Sequence, residues 1–305
     1  MSLLAKMKAP GPSGFGYGST ALDVVRELDL SGRTVLLTGC NSGIGVAALE
    51  ALVAKGATVV ACARTVEKAQ SVCDQVGGNT IAVACELSEP SSVRACVREV
   101  ADRVPSIDAM LCNAGIMALP KLQVKHGLEL QFLTNHVGHF ILVTGLLDKL
   151  APTGRVVMLS SAAHRQAPKV GIDFDNLAGE KGYSGWTAYG RSKLANLLFA
   201  KQLARRFKGT QRVANAVHPG VIRTNLSRHM NPLAGAAIAI SSPLFLKSVG
   251  QGAATGVWAA VHPAAAALSG EYLADCNVAR PLSLANDEAL AERLWTETEK
   301  LVAAL

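Results

Sequence analysis

The chain has 305 residues, half of them hydrophobic and 17% charged, with a formal net charge of +7. That length and apolar content allow a large shared core and exclude a disordered chain. The basic residues are scattered, with no Lys/Arg-rich run or nucleic-acid motif; the charge reads as solubility plus attraction for a phosphate-bearing cofactor, with no nucleic-acid partner.

Residues 1–18 are rich in Gly and Pro and read as an extended arm, after which Thr20 and Asp23 form a capping pair for a short helix to about Leu28. Lys6 and Lys8 lead into Gly/Pro-rich sequence, unlike the apolar core of a signal peptide, which predicts a cytoplasmic location. "GFGYG" inside the arm follows no strand, so it lacks the context of a phosphate loop.

From Arg33 onward, strands "TVLLTG", "TVVACA", "TIAVACE", "DAMLCNAG", "RVVMLSS" and "RVANAVHPG" alternate with helices over 44–55, 65–76, 90–103, about 126–149 and 187–207, and a late strand falls near 270–273. Continuous apolar strands between helices predict a single α/β, doubly wound Rossmann-type parallel sheet with helices on both faces. The predicted organisation is an arm and short helix over 1–30 and a dinucleotide-binding catalytic domain over 31–305. Within the latter, an apolar excursion at about 222–250 suits a lid over a greasy substrate. The uncharged stretches 230–246 and 248–270 are broken by Pro232, Pro243 and Pro263, which argues against a transmembrane span and leaves peripheral membrane contact open. Seven cysteines without C-x-x-C spacing read as reduced, buried small hydrophobes.

The first strand runs into "TGCNSGIG", placing Gly39, Asn41, Ser42, Gly43, Ile44 and Gly45 at a strand-to-helix turn. Glycines there let the main chain approach a pyrophosphate, whose charge meets backbone amides and a helix N-terminus. At the end of the second strand, "ACART" puts Ala63 where an NAD-binding chain carries an acid, and Arg64 follows. A guanidinium binds a ribose 2'-phosphate that an acid would repel, so NADP(H) is expected over NAD(H). In "WTAYGRSKLANLLFA", Tyr189 and Lys193 stand one helical turn apart, so the ammonium is expected to lower the phenol's pKa. His136 and His139 have no third ligand nearby in sequence, and no metal site is expected.

Six segments in order, "TGCNSGIG", "LCNAG", "LTNHVGHF", "VVMLSSAAH", "YGRSK" and "HPGVIRT", resemble the short-chain dehydrogenase/reductase family, in the branch of retinol dehydrogenases and WW-domain-containing oxidoreductases. The likeness spans roughly residues 18–303. It implies Tyr189 as general acid/base, Lys193 as its activator and holder of the nicotinamide ribose, Ser161 as partner of the substrate oxygen, and Asn135 as anchor of a proton relay. It also implies cofactor contacts from Asn113, Ala114, Gly115, Pro219, Gly220, Val221 and Thr224, and from Glu86 and Leu87, where Glu86 replaces the usual Asp. Ala163, His164, Tyr183 and Trp186 are candidate substrate-pocket residues. The expected activity is hydride exchange between NADP(H) and a hydrophobic alcohol, aldehyde or ketone, by a monomer or homo-oligomer. The alternatives are a carbon-carbon double-bond reductase similar to the protochlorophyllide reductases and a non-catalytic NADP-sensing protein.

Overall fold

The computed structural model describes residues 7–222 and 246–305. Eight strands form one sheet: β1 (Thr34–Thr38), β2 (Thr58–Ala63), β3 (Thr80–Ala84), β4 (Ile107–Cys112), β5 (Leu150–Leu159), β6 (Val213–His218), β7 (Tyr272–Ala274) and β8 (Asn277–Val278). Their order is β8-β7-β6-β5-β4-β1-β2-β3, and every neighbouring pair is parallel except β7 with β8. The order reverses between β1 and β4, where the two helical layers part and a crevice opens outside the strands' carboxyl ends.

Both sheet faces are buried, which is why the strands read as unbroken apolar runs. Leu36, Val60 and Met110 point into one layer, under α4 (Pro90–Arg103), α5 (Gly138–Gly145), α6 (Gly185–Arg206) and α8 (Glu288–Ala304). Val35, Leu37 and Leu111 point into the other, under α1 (Ala21–Val25), α2 (Ile44–Val53), α3 (Val66–Val76) and α7 (Val249–Val261). This alternation along a strand follows from its period of two. All seven cysteines are free and buried in these layers.

The capping pair predicted for α1 forms: Thr20 Oγ1 accepts from Asp23 N while the Asp23 carboxylate accepts from Thr20 N, although the helix ends at Val25 rather than near Leu28. The helix expected over 126–149 is broken up. Residues 124–129 form a small hairpin, because His126 and Gly127 both take positive φ, 52° and 73°, the geometry of a tight hairpin turn. Glu129 then accepts from the amides of Gln131 and Phe132, a turn of π-helix follows over Leu133–Val137, and α5 begins only at Gly138. Helices α7 and α8 are absent from the predicted alternation: α7 packs on α1, α2 and the central strands and is capped reciprocally by Ser248 and Gln251, while α8 packs on α6.

The arm folds back on β8. Ser13 N donates to Asn277 Oδ1, Asn277 Nδ2 donates to Phe15 O, and Gln251 Nε2 donates to Gly18 O. "GFGYG" therefore belongs to a turn clasped to the sheet edge and to α7, not to a strand-to-helix phosphate loop.

Candidate active site

Between β1 and α2 the chain turns through Gly39 and Gly43, with φ of 69° and 50°. A Cβ at Gly39 would lie 2.9 Å from Ala114 Cα, and one at Gly45 would lie 1.9 Å from Gly39 O, so only glycine permits this close backbone packing. Gly43 caps α2 without any side-chain hydrogen bond, and Asn41 and Ser42 are exposed beside it. Apart from Gly45 N, which donates to Ser42 O at 3.0 Å, the amides opening α2 and the positive end of the helix dipole are left for an anion, which fits a dinucleotide's pyrophosphate.

The crevice floor comes from β4. Asn113 Nδ2 donates to Thr38 O at 3.0 Å, stitching β4 to β1, and Ala114 N donates to Thr38 Oγ1 at 3.0 Å. Arg64 stands exposed just past β2 and forms no ion pair among the described residues. Glu86 turns inward on its own loop, where its Oε1 accepts from the Ser88 amide and hydroxyl. Leu87 is 4% exposed, its side chain part of the core, so only its backbone is free to face a ligand.

Side chains from three elements meet at the carboxyl ends of β4 and β5. Of the paired serines, Ser160 turns inward to donate to Lys193 O at 2.8 Å, whereas the Ser161 hydroxyl lies on the Tyr189 side and accepts from Ala163 N at 3.2 Å. Alternation past the strand end explains the split. Lys193 is 1% exposed, and its Nζ donates to Leu159 O at 2.9 Å. A Cβ on Gly115 would lie 3.4 Å from Lys193 Nζ and 3.0 Å from Asn135 Oδ1, so Gly115 brings the floor against both.

Asn135 lies in the π-helical turn and is fully buried. Its Oδ1 accepts from Ile116 N, and its Nδ2 donates to Ile116 O and Ser192 Oγ. Its own carbonyl accepts from His139 Nδ1 at 2.9 Å. Since a carbonyl can only accept, that nitrogen carries the proton, and His139 Nε2 accepts from Thr38 Oγ1 at 2.9 Å. Thr38, His139 and Ser192 thus hold Asn135 in register; Thr38 and Ser192 do not stand out in the sequence, because Thr38 reaches His139 and Ser192 reaches Asn135 across 101 and 57 positions, and His139 stands out there only against a metal role.

The electrostatics depart from the expectation that Lys193 acidifies Tyr189. Burial pushes the phenol up to about 12, only partly offset by the hydrogen bond with Ser161, and burial brings the Lys193 ammonium down to about 7. The ammonium sits 5.5 Å from the phenol ring's centroid and spends a donor on a backbone carbonyl. Desolvation therefore outweighs the pairing that helical spacing suggests.

Three expected pocket residues are tied into the wall. His164 is fully buried; Leu282 N donates to its Nε2, so its Nδ1 donates to Ser161 O. With both nitrogens engaged, it positions Ser161 rather than facing substrate. Tyr183 donates to Leu119 O and accepts from Gln131 Nε2. Ala163 is buried, its carbonyl where a Cβ on Gly190 would come within 2.6 Å. Trp186, by contrast, is 40% exposed and stands edge-on to Tyr189 with centroids 6.2 Å apart.

Beyond β6, Pro219 is buried, Gly220 has φ of 90°, and Val221 is 63% exposed. Thr224 and positions 223–245 of the expected lid lie outside the described residues. Where the chain resumes, Lys247 is 1% exposed, pairs with Asp275 Oδ1 at 2.6 Å, and donates its amide to Val221 O. This half-buried ion pair pins the loop after β6, and the sequence gives no sign of it. His136 and His139 are both buried, and among the described residues no three His, Cys, Asp or Glu side chains converge as metal ligands.

A glycine turn at the switch point of such a sheet, facing a buried lysine one helical turn from a half-buried tyrosine, is the architecture of enzymes that bind a nicotinamide dinucleotide. The chain is an NAD(P)-dependent oxidoreductase. It belongs to the short-chain dehydrogenase/reductase family, whose pattern it matches over residues 33–233, and within it to the retinol dehydrogenase-like branch. It is 39% identical to the short-chain dehydrogenase TIC 32 A, chloroplastic, of Brassica napus, covering 97% of this chain and 96% of that one. It is 36% identical to retinol dehydrogenase 14 of Homo sapiens, covering 90% and 88%. Among solved structures, a protein from Mycobacterium Paratuberculosis superposes with a TM-score of 0.75 at 32% identity, over 93% of this chain and 97% of that one.

Proposed function

We propose that this enzyme uses NADP(H) to interconvert hydrophobic alcohols with aldehydes or ketones, with Tyr189 as the proton donor and acceptor. The observation that carries the reading is the buried Lys193 ammonium 5.5 Å from the Tyr189 ring, both on one helix at the mouth of the switch-point crevice with Ser161 beside them. Bound in that crevice, the nicotinamide supplies or takes up the hydride.

The chain's own residues supply the rest. With its pKa held near 12, the Tyr189 phenol keeps its proton at neutral pH and can pass it to a carbonyl oxygen. Ser161 donates to the same oxygen as negative charge develops. Lys193, buried without a carboxylate partner, holds the ribose by hydrogen bonding and places positive charge beside the phenol once proton transfer begins. Through Ser192, Asn135 ties the π-helical turn to α6, which keeps Tyr189 and Lys193 aligned. The preference for NADP(H) rests on Arg64, whose free guanidinium suits a 2'-phosphate. The bulky apolar substrate class is supported by exposed Trp186 and Val221 at the mouth, and by relatives named retinol dehydrogenases.

Tyr189→Phe tests the assignment. NADPH oxidation with hydrophobic aldehydes should fall roughly 100-fold or more, while NADPH binding, followed by cofactor fluorescence, stays near the wild-type level. Turnover within about threefold of wild type would remove Tyr189 from the mechanism.

A further inference from the structure

At the opposite end of the strands from Tyr189 lies a cleft of about 980 Å³. Its floor is apolar, from Leu30, Phe207, Val213, Ala260 and Val261. Its walls carry Arg33, Arg155, Lys201, Arg205, Lys208 and Arg212, against two carboxylates, Asp108 and Glu288. Residues scattered from Leu30 to Glu288 are thus gathered around one concavity.

The cations are held in place by neutral groups. Among the described residues, only Arg33 of these cations has a carboxylate within ion-pair distance, Asp108 at 2.8 Å. Arg155 donates to His262 O at 2.8 Å, Lys201 to Gly270 O at 2.7 Å, Arg212 to Ala151 O at 3.2 Å, and Arg205 to the Gln202 side-chain carbonyl at 2.8 Å. Lys208 is exposed and makes no side-chain hydrogen bond or ion pair among the described residues. Carbonyl anchors fix a cation's position without cancelling its charge, and each guanidinium or ammonium retains unused donors. Mutual repulsion registers inside the cleft: burial and then Arg33 lower the pKa of Arg155, while Lys201 is lowered by burial and by Arg205, against the pull of Glu271. An anion seated among them would relieve that repulsion.

We propose that this cleft is a second binding site, separate from the redox crevice, for an amphiphilic anion: a carboxylate or phosphate head among the cations with its hydrocarbon body on the Leu30–Phe207–Val213 floor. The volume is in the range of small-ligand pockets, and an apolar base with a few fixed polar groups is their usual chemistry. A nucleic-acid strand would need an extended basic stripe. The cations here ring a hollow.

Isothermal titration of the NADPH-saturated protein tests the site, since bound NADPH already fills the phosphate-binding turn. The probes are octyl phosphate, octanoate, 1-octanol and inorganic phosphate. One or both octyl anions should bind at one per chain, about tenfold or more tighter than either 1-octanol or inorganic phosphate; which anion binds tighter identifies the head group. Lys208→Glu, at an exposed side chain without described partners, should weaken that binding about tenfold and leave NADPH affinity unchanged. Arg205→Gln combined with it should abolish detectable binding while thermal unfolding stays within about 2 °C. Octyl-anion binding that survives Lys208→Glu unaltered, equal affinity for 1-octanol, equal affinity for inorganic phosphate, or no binding of any probe each overturns the proposal.

Discussion

At Lys193 an ammonium lies 1% exposed with a main-chain carbonyl as its hydrogen-bond partner. Burying a cation this way is costly, and burial brings its pKa down to about 7. Its neighbour Tyr189 is shifted by the same cause in the opposite chemical sense, keeping its proton at neutral pH. Helical spacing made the pair conspicuous in sequence, yet gave the wrong sign for the phenol, because proximity on a helix carries no information about desolvation. That only one of Ser160 and Ser161 faces the crevice was legible, since side chains alternate along a strand; which of them does so is part of the proposal. His164 was not: its partner, Leu282 N, lies 118 residues away. Arg64 is the residue whose proposed role is simplest to isolate, being exposed and unpaired among the described residues. Arg64→Ala should raise the KM for NADPH by about 10-fold to 100-fold, the loss of one or two charge-assisted hydrogen bonds, and leave the KM for NADH nearly unchanged. Steady-state kinetics with both cofactors measures it, and an equal change in the two would remove Arg64 from the phosphate site.

Among the elements, α6 carries the site and is locked by a buried ion pair that periodicity does not reveal. Arg191 lies within 3.6 Å of Glu129, with both side chains almost wholly buried. Arg191 also donates to Asn176 O, and Glu129 accepts from the amides that open the segment toward Asn135. Removing one member strands the other's charge and frees those amides. Glu129→Ala should cost about 3–5 kcal/mol, visible as a fall in Tm on the order of 10 °C. A Tm within about 2 °C of wild type would show that the pair is not stabilising. The misread stretch at 126–149 belongs to this scale too: its apolar residues suit a helix, but the positive φ at His126 and Gly127 and the cap at Glu129 cut it short. A histidine at positive φ is uncommon enough that composition gave no warning.

Across the whole molecule, histidines buried in neutral form link folding to pH. Burial lowers His136 to about 3 and His139 to about 4, against about 6.5 when unfolded. Below about pH 6.5 the unfolded chain takes up protons that the folded chain refuses, so stability is complete above that pH and is lost as pH falls toward 4. Together the two should remove about 3 kcal/mol for each pH unit between about 6 and 4.5. Denaturant midpoints at pH 7.5, 6 and 5 check this; a flat profile over that range would mean that these rings are not neutral and buried. On the same scale, no described helix is long and apolar enough to cross a membrane.

The sequence by itself determined the alternation of strands and helices, the glycine turn and the Tyr–Lys spacing, because each depends on neighbours within a turn or along a strand. Only the tertiary structure decided how much water those groups lose, which distant carbonyls and amides satisfy them, and that scattered cations such as Arg33 and Arg212 face one hollow. Periodicity is a local property of the chain; desolvation and charge convergence depend on packing between segments far apart in sequence.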